Sequence, residues 1–143
     1  MKPAAAMKPD AQPPIPLDVL HRGLVETLGI TFTKVDVDEV IATMPVTPRH
    51  HQPFGVLHGG ASVVLAESIA SVGGTLNCGP DQAAFGMEIN ANHIRSVRDG
   101  IVRGVGIPLH RGRTTQVWEI KLYDVTERLI CVSRCTLAVV DRT

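Results

Sequence analysis

One carboxylate stands inside a segment that is otherwise uncharged. Residues 59–77 read GGASVVLAESIASVGGTLN, and Glu67 is the charged residue among them. Burying a carboxylate without a partner is costly or forces the group to bind a proton. Glu67 is therefore explained in one of three ways: it lies on a narrow wet stripe, it pairs with an arginine, or it performs chemistry.

Two neighbouring features favour chemistry. The sequence HGG, His58 to Gly60, stands where a helix begins, so the N–H of Gly59 or Gly60 is an unpaired donor suited to an oxyanion. Ser71 follows Glu67 by four residues, which places its hydroxyl on the same helix face. The alternatives are a tight Gly-Gly turn and a serine that bonds only to its own helix. Together, an acid, a hydroxyl and an oxyanion donor indicate hydrolysis of an acyl compound.

Gly59 and Glu67 cannot easily reach one carbonyl from the same helix. At about 1.5 Å and 100° per residue, they lie roughly 12 Å apart along the axis and about 80° apart around it. Two such helices packed antiparallel across a two-fold axis would bring Glu67 of one chain near Gly59 of the other. We therefore predict a homodimer with shared active sites.

The loop before this helix supplies further polar groups. His50, His51 and His58 match no familiar zinc spacing and have no carboxylate among them, so no metal is expected. His58 is better placed to orient the loop or to polarise a substrate carbonyl. The amide of Gln52 can do the same.

Two basic clusters suit phosphate groups. The first is LHRGRTT, residues 109–115, and the second is NHIRSVR, residues 92–98. The alternative for both is a solvated charged rim, which is the commoner fate of surface arginines.

Hydrophobic periodicity and turn residues predict the elements that position these groups. A short helix is predicted over Leu17–Leu28, followed by a hairpin of two strands, Ile30–Val37 and Val40–Val46. A long buried helix is predicted over Gly59–Asn77. Four further strands are predicted over Ala83–Val97, Ile101–Leu109, Thr114–Tyr123 and Leu129–Val140. In the first of these last four strands, Phe85, Met87, Ile89 and Ala91 alternate with polar residues or glycine. The order lacks βαβ alternation, so it predicts an α+β domain in which an antiparallel sheet of five to six strands wraps one central helix. Residues 17–143 form this single domain, and the proline-rich residues 1–16 are predicted to be a disordered tail.

Composition excludes several classes of function. Fourteen Lys and Arg balance fourteen Asp and Glu, and aromatic residues are 3% of the chain, so nucleic-acid binding is not expected. The longest apolar segment contains Glu67 and is too short to span a bilayer. The odd set of Cys78, Cys131 and Cys135 lacks metal-ligand spacing and indicates small buried side chains in a reducing compartment. We therefore expect a cytoplasmic protein.

Three stretches together resemble a known family. They are QPFGVLHGGASVVLAESIAS, GMEINANHIRSVRDG and PLHRGRTTQVWEI. They resemble the hotdog-fold acyl-coenzyme A (CoA) thioesterases, and within these the branch that acts on 1,4-dihydroxy-2-naphthoyl-CoA in menaquinone biosynthesis, related to 4-hydroxybenzoyl-CoA and phenylacetyl-CoA thioesterases. The similarity covers about residues 28–140.

The resemblance implies a role for each candidate residue. Glu67 is the catalytic carboxylate, Gly59 is the oxyanion donor, Gln52 and His58 hold the thioester, and Ser71 assists the water. The residues implied to bind CoA come partly from neighbouring subunits. They are Gly86, His93, Ile94, Arg95, Ser96, His110, Arg111, Gly112, Arg113, Thr114 and Thr115. No cofactor is implied beyond the CoA of the substrate. The assembly implied is a homotetramer built as a dimer of dimers.

The sequence leaves alternatives open for the acyl group of the substrate and for the reaction. Benzoyl, naphthoyl and medium-chain groups are all open, and Phe54, Val63, Val64 and Leu65 either line an acyl slot or belong to the core. Glu67 is either a nucleophile or a general base. The rival functions are a hotdog dehydratase of 3-hydroxyacyl thioesters and a non-catalytic acyl-CoA binding module.

Overall fold

A six-stranded antiparallel sheet wraps around one long helix in the computed structural model, which describes residues 16–142. The helices are α1 (Leu17–Leu20), α2 (Leu24–Thr27) and α3 (Gly59–Leu76), with a 3₁₀ turn at Pro48–His50. The strands are β1 (Thr31–Val35), β2 (Val40–Pro45), β3 (Gln82–His93), β4 (Ile101–Arg111), β5 (Thr115–Tyr123) and β6 (Leu129–Asp141). Their order in the sheet is β1-β2-β4-β5-β6-β3. The predicted α+β hotdog architecture, with its β1–β2 hairpin, is confirmed.

Helix α3 lies in the centre of the domain because glycines let it approach the sheet. A Cβ on Gly73 would stand 2.7 Å from Cζ2 of Trp118, and one on Gly74 would stand 2.8 Å from Cβ of Ala84. The carbonyl of Gly74 accepts a hydrogen bond from Nε2 of the buried Gln116 at 2.9 Å, and Trp118 Nε1 donates to Gln116 Oε1 at 3.0 Å. The close contact and the buried hydrogen bonds fix the helix, and hence Glu67, against the sheet.

The expectation that this apolar segment is too short to span a bilayer is wrong by length and composition alone, because the 18 residues of α3 would pass as a membrane-spanning helix. Within the domain, however, 56% of its 18-residue window is buried against the rest of the chain. Its apolar character is therefore explained by its position in the core.

The predicted single helix over Leu17–Leu28 is wrong. The chain forms two short helical turns, α1 and α2, separated by Gly23 with φ of +64°. This left-handed conformation cannot continue a right-handed helix, and glycine adopts it without the steric cost that other residues would incur. The leucine spacing therefore predicted the local turns but not the break between them.

The strand predicted for 83–97 ends earlier than expected, at His93. The next two backbone N–H groups, those of Ile94 and Arg95, both point to the carbonyl of Ile130, at 2.7 and 3.3 Å. Because two donors share one acceptor, the regular alternation of the ladder stops there. The other strand ends differ from the prediction by at most two residues.

The apolar residues that alternate in the sequence of this strand do not share one face. The pairing of β3 with β6 shifts between Gly86 and Glu88, which marks a β-bulge. The bulge changes the phase of the side chains, so Phe85 and Met87 are exposed whereas Ile89 packs against the core.

Asp124 fixes the turn between β5 and β6. Its Oδ1 accepts the N–H groups of Thr126 and Arg128 at 2.9 and 3.0 Å, and its Oδ2 accepts Nε of Arg128 at 2.9 Å. Burial raises the pKa of Asp124, but these hydrogen bonds outweigh burial and lower that pKa from 3.8 to about 2. Because the folded pKa lies below the unfolded one, the carboxylate stabilises the fold above about pH 4 and ceases to do so as the pH falls toward 2.

We predict that Asp124→Asn lowers the stability of the protein at pH 6 but has little effect near pH 2. The amide loses the ion pair with Arg128, which is the interaction that protonation also removes. Urea unfolding midpoints at pH 6, 4 and 2.5 measure the difference between wild type and variant. The exposed Asp99, replaced as Asp99→Asn, is the control. A difference that stays constant over this pH range would contradict the prediction.

Candidate active site

Glu67 lies on the wall of a cavity of about 780 Å³. Helix α3 forms one wall, the start of β3 forms another, and the segment from Pro16 to Val25 closes a third side. Glu67 is half-buried, and no cation lies within 4 Å of its carboxylate among residues 16–142. The arginine partner that a purely structural glutamate would have is therefore not found in the described chain.

The carboxylate of Glu67 fits directly against the backbone of Gly86. A Cβ on Gly86 would lie in contact with Oε1 of Glu67 and 3.2 Å from its Cδ. Gly86 thus provides the space that the carboxylate occupies. The resemblance placed Gly86 beside CoA, whereas in this protomer its neighbour is the candidate catalytic acid.

We predict that Gly86→Ala lowers kcat by about 10²-fold, since a displacement of roughly 1 Å of a reacting group has an effect of this size. The methyl group meets the end of a flexible side chain, so the carboxylate moves while the fold is retained. Steady-state hydrolysis and the thermal unfolding midpoint together test the prediction. Unchanged kcat would mean that the position of the carboxylate does not matter, and a large loss of stability would mean that the backbone moved instead.

Gly59 presents a free backbone donor at the start of α3. His58 is the N-cap residue, and its Nδ1 accepts the N–H of Gly60 at 2.8 Å. The N–H of Gly59 has no acceptor among the described residues. The imidazole of His93 packs over this glycine, with Nε2 only 2.7 Å from the position of a Gly59 Cβ. The Gly59 N–H, which the sequence predicted as an oxyanion donor, is therefore unpaired among the described residues, and His93 lies beside it.

The histidines of the preceding loop hold the loop in place. His50 is buried, its Nδ1 accepts the N–H of Thr47 at 3.2 Å, and its Nε2 donates to the carbonyl of Leu28 at 2.7 Å. His51 Nε2 donates to the carbonyl of Arg98 at 2.8 Å. No three His, Cys, Asp or Glu side chains gather as metal ligands within the part of the chain that the structure describes. The loop that leads to Gly59 is thus fixed by hydrogen bonds.

Gln52 stabilises a turn within the same loop. Its side-chain Oε1 accepts the N–H of Phe54, and the backbone N–H of Gln52 donates to the carbonyl of Val56 at 2.9 Å. The amide nitrogen of the side chain has no acceptor among residues 16–142. One end of the amide is therefore used to shape the loop, and the other end is available as a donor.

The structure brings together only part of the predicted catalytic set. The cavity contains Glu67 and Ser71, whereas Gln52, His58 and Gly59 do not line it. Ser68, rather than Ser71, donates its hydroxyl to the helix carbonyl four residues earlier, that of Val64, at 2.6 Å. The Ser71 hydroxyl makes no hydrogen bond with the described residues, so it is available to a water or a substrate.

The two basic clusters lie at opposite ends of the sheet in this protomer. Thr115 pairs with Ala138, which pairs with Phe85 on β3, whereas His93 lies at the far end of that strand. Eight residues of strand separate Phe85 from His93, or roughly 26 Å. One CoA molecule bound to this protomer alone would therefore meet one cluster and not the other.

Within the clusters, Arg111 already has partners from its own chain. Its guanidinium pairs with Asp38 at 2.5 Å and donates to Oδ1 of Asn77 at 3.2 Å. Gly112 forms the turn by donating to the carbonyl of Thr115 at 2.8 Å, and the ring of His110 covers it. The remaining candidates, Ile94, Arg95, Ser96, Arg113 and Thr114, are exposed.

The cysteines are unsuited to nucleophilic chemistry. Cys131 and Cys135 are buried and Cys78 is half-buried, and none forms a disulfide. Burial raises the pKa of all three thiols. For Cys135, the nearby charges of Glu67 and Glu88 add to burial and bring the pKa to about 12. The thiols are therefore protonated at neutral pH, which agrees with the prediction of small buried side chains.

Several residues of the cavity were not predicted as site residues. Val25, Phe32 and Arg142 line it, although Arg142 is more than 100 residues along the chain from the other two. Of the residues considered for an acyl slot, Val64 lines the cavity, Leu65 is fully buried in the core, and Phe54 is 86% exposed. The periodicity of α3 could have identified Val64, but no local pattern marks Arg142.

Comparisons with known proteins agree with this fold. The family profile of the Thioesterase superfamily matches residues 54–131. The 1,4-dihydroxy-2-naphthoyl-CoA hydrolase of Escherichia coli is 55% identical over 116 residues, which cover 81% of this chain and 85% of the relative. The proofreading thioesterase EntH of Cronobacter turicensis is 53% identical over 116 residues, with the same coverage. The crystal structure of a Haemophilus influenzae thioesterase superposes with a TM-score of 0.83 at 44% identity, covering 87% of each chain.

Proposed function

The chain belongs to the thioesterase superfamily, and from this membership we propose that it hydrolyses an aryl-CoA thioester to the free acid and CoA. The substrate proposed is 1,4-dihydroxy-2-naphthoyl-CoA or a related benzoyl-type thioester, which would place the reaction in menaquinone biosynthesis. One observation carries the proposal. Glu67 has no ion-pair partner in the described chain and lies on a cavity large enough for an acyl group.

The proposed mechanism uses the N–H of Gly59 and the carboxylate of Glu67. The thioester carbonyl accepts the Gly59 N–H, and this donor stabilises the oxyanion as negative charge develops. The amide nitrogen of Gln52 and the ring of His58 help to hold the thioester. The free hydroxyl of Ser71 positions the attacking water.

Two routes to the products are open. Glu67 either attacks the carbonyl, releasing the CoA thiolate and forming a mixed anhydride that water then cleaves, or it removes a proton from water that attacks directly. A single turnover in oxygen-18 water distinguishes these routes. Label that appears first in Glu67 supports attack, whereas label that goes directly into the product acid supports a general base.

An assay of both possible products tests the proposed function. Aryl, medium-chain and 3-hydroxyacyl thioesters are incubated with the protein, and free thiol and enoyl formation are followed in parallel. Thiol release with the aryl substrates supports the proposal. Enoyl formation would identify a dehydratase, and stoichiometric retention of intact acyl-CoA would identify a binding module.

We also propose a homodimer in which each active site is shared. Among the described residues, the edge strand β3 pairs with β6 alone, and it exposes Phe85 and Met87. An unpaired edge of twelve residues that exposes two large apolar side chains favours association with a second copy. Pairing there would set the two central helices side by side and would bring Gly59 of one subunit toward Glu67 of the other. The exposed Ile107 and Leu109 on β4 support a further contact between dimers, and hence a tetramer.

We predict that two inactive variants restore activity when mixed. Glu67→Gln and Gly59→Pro each inactivate both sites of their own dimers, but a hybrid dimer contains one intact site. Random mixing makes half of the dimers hybrids, so about a quarter of wild-type activity is expected. Each variant alone is the control. A mixture no more active than its components would contradict shared sites.

The proposed reaction needs water and residues of this chain, with no cofactor. The phosphates of CoA would bind along His93 to Ser96 and His110 to Thr115, contributed by different subunits. Cys78, Cys131 and Cys135 are free thiols, which supports a cytoplasmic location.

A further inference from the structure

We propose that Arg142 binds an oxygen acceptor at the end of the acyl group that is distant from the thioester. This inference rests on the proposed function and specifies its substrate class. Among the proposed substrates, the favoured acyl groups are therefore benzoyl-type or extended groups that carry a hydroxyl or carboxylate oxygen on the far side from the carbonyl under attack. They are favoured over 1,4-dihydroxy-2-naphthoyl, whose two hydroxyls lie on the ring that bears the carbonyl. Arg142 is then a specificity-determining residue rather than a catalytic residue.

Glu67 lies near one end of the cavity and Arg142 near the other. On α3, the lining residues run from Val64 to Thr75, and Glu67 lies one turn from the first end, eight residues or roughly 12 Å along the axis from Thr75. On β3, the cavity is lined by Ala83, Ala84 and Phe85. These residues lie between Gly86, which the Glu67 carboxylate contacts, and Gln82, which is four residues or about 13 Å from Gly86. The Nε of Arg142 donates to the carbonyl of Gln82 at 3.0 Å. The cavity is therefore elongated, with an acid near one end and a guanidinium near the other.

The hydrogen bonds of Arg142 leave part of its guanidinium unused. Its Nε is held by Gln82, and its backbone N–H donates to the carbonyl of Asp81 at 2.7 Å. The two terminal nitrogens have no acceptor among residues 16–142. The guanidinium is thus oriented by the protein while its paired donors are available for an oxygen ligand.

Charge and polarity in the cavity support this assignment. Besides Glu67, the charged side chains that line it are Arg22 and Arg142. Arg22 has a partner in Asp18, at 3.5 Å on the surface, whereas the terminal nitrogens of Arg142 have none among residues 16–142. Apolar residues such as Val25, Phe32 and Val72 line much of the remaining wall. An extended or planar acyl group fits between the ends, and an oxygen at its distal end would meet Arg142.

Two matched substrates test the proposal, 2-naphthoyl-CoA and 6-hydroxy-2-naphthoyl-CoA, which differ only in a hydroxyl on the distal ring. Wild type is expected to favour the hydroxylated substrate in kcat/KM by about ten- to a hundredfold, because a hydrogen bond to a charged group has this effect. Arg142→Met keeps most of the length of the side chain but removes its donors. The ratio of the two kcat/KM values should therefore fall to near one, mainly through KM. Arg142→Lys should retain part of the preference.

Arg22→Met is the matched control, because it removes the other arginine that lines the cavity. It should keep the wild-type ratio. The proposal is overturned if Arg142→Met keeps the preference, or if Arg22→Met abolishes it to the same extent. Thermal unfolding checks that each variant is folded, and Arg142→Gln replaces Arg142→Met if the latter does not fold.

Binding measurements separate this proposal from the proposed function. The two substrates are titrated into Glu67→Gln protein with and without Arg142→Met, and the ratio of Kd values is compared. Absence of thiol release by wild type would refute the thioesterase proposal, yet the Kd ratio would still decide the role of Arg142. Hydrolysis with a Kd ratio unaffected by Arg142→Met would refute the role of Arg142 alone.

Discussion

Replacing Glu67 by glutamine is expected to lower kcat by about 10²–10⁴-fold, the usual contribution of a group that transfers a proton in the transition state. The amide has nearly the same size as the carboxylate, so it still fits against Gly86, but it neither attacks a carbonyl nor accepts a proton from water. KM should change only a few-fold, because the group acts in the transition state rather than in binding. Thiol release from an aryl-CoA measures both constants.

Glu88→Gln is the control for the loss of a negative charge near the site. Glu88 also lies close to Cys135, but its carboxylate is exposed on β3 and does not line the cavity. This variant should keep wild-type kcat. A Glu67→Gln enzyme with kcat within a few-fold of wild type, at an unchanged unfolding midpoint, would show that Glu67 is structural.

The sequence predicted the catalytic candidates because they contrast with their surroundings. Glu67 is the charged residue within an apolar helical segment, and HGG marks the start of that segment. The boundaries of α3 followed from the loop residues before it and the turn after it. These features are local, so the sequence contains all the information needed to find them.

Other features depend on contacts between distant segments. The break at Gly23 and the bulge after Gly86 are conformations that the same residues need not adopt in another fold. Because of the bulge, the alternation in the sequence does not show that Phe85 and Ile89 lie on different faces of the strand. Arg111 looked like a phosphate ligand by its neighbours, yet its ion-pair partner is Asp38, 73 residues away. Arg142 reaches the cavity only because β6 pairs with β3. Spacing along the chain does not predict such partners.

Removing the backbone N–H of Gly59 tests the second half of the proposed mechanism. Gly59 is the first residue of α3, where proline is favoured because its N–H is not needed within the helix. The preceding residue, His58, has φ of −67° and ψ of 131°, a conformation compatible with a following proline. Gly59→Pro should therefore preserve the helix while it deletes one donor.

We expect Gly59→Pro to lower kcat by about 10²–10³-fold, which is the loss found when one oxyanion donor is removed from a preorganised site. Both proline and alanine add a Cβ that displaces the ring of His93, so Gly59→Ala is the control that isolates the N–H. Alanine keeps the donor and should retain most of the activity. Equal losses for the two variants would mean that displacement of His93, and not the missing N–H, accounts for the effect. Full activity of the proline variant would mean that the oxyanion is stabilised by another donor.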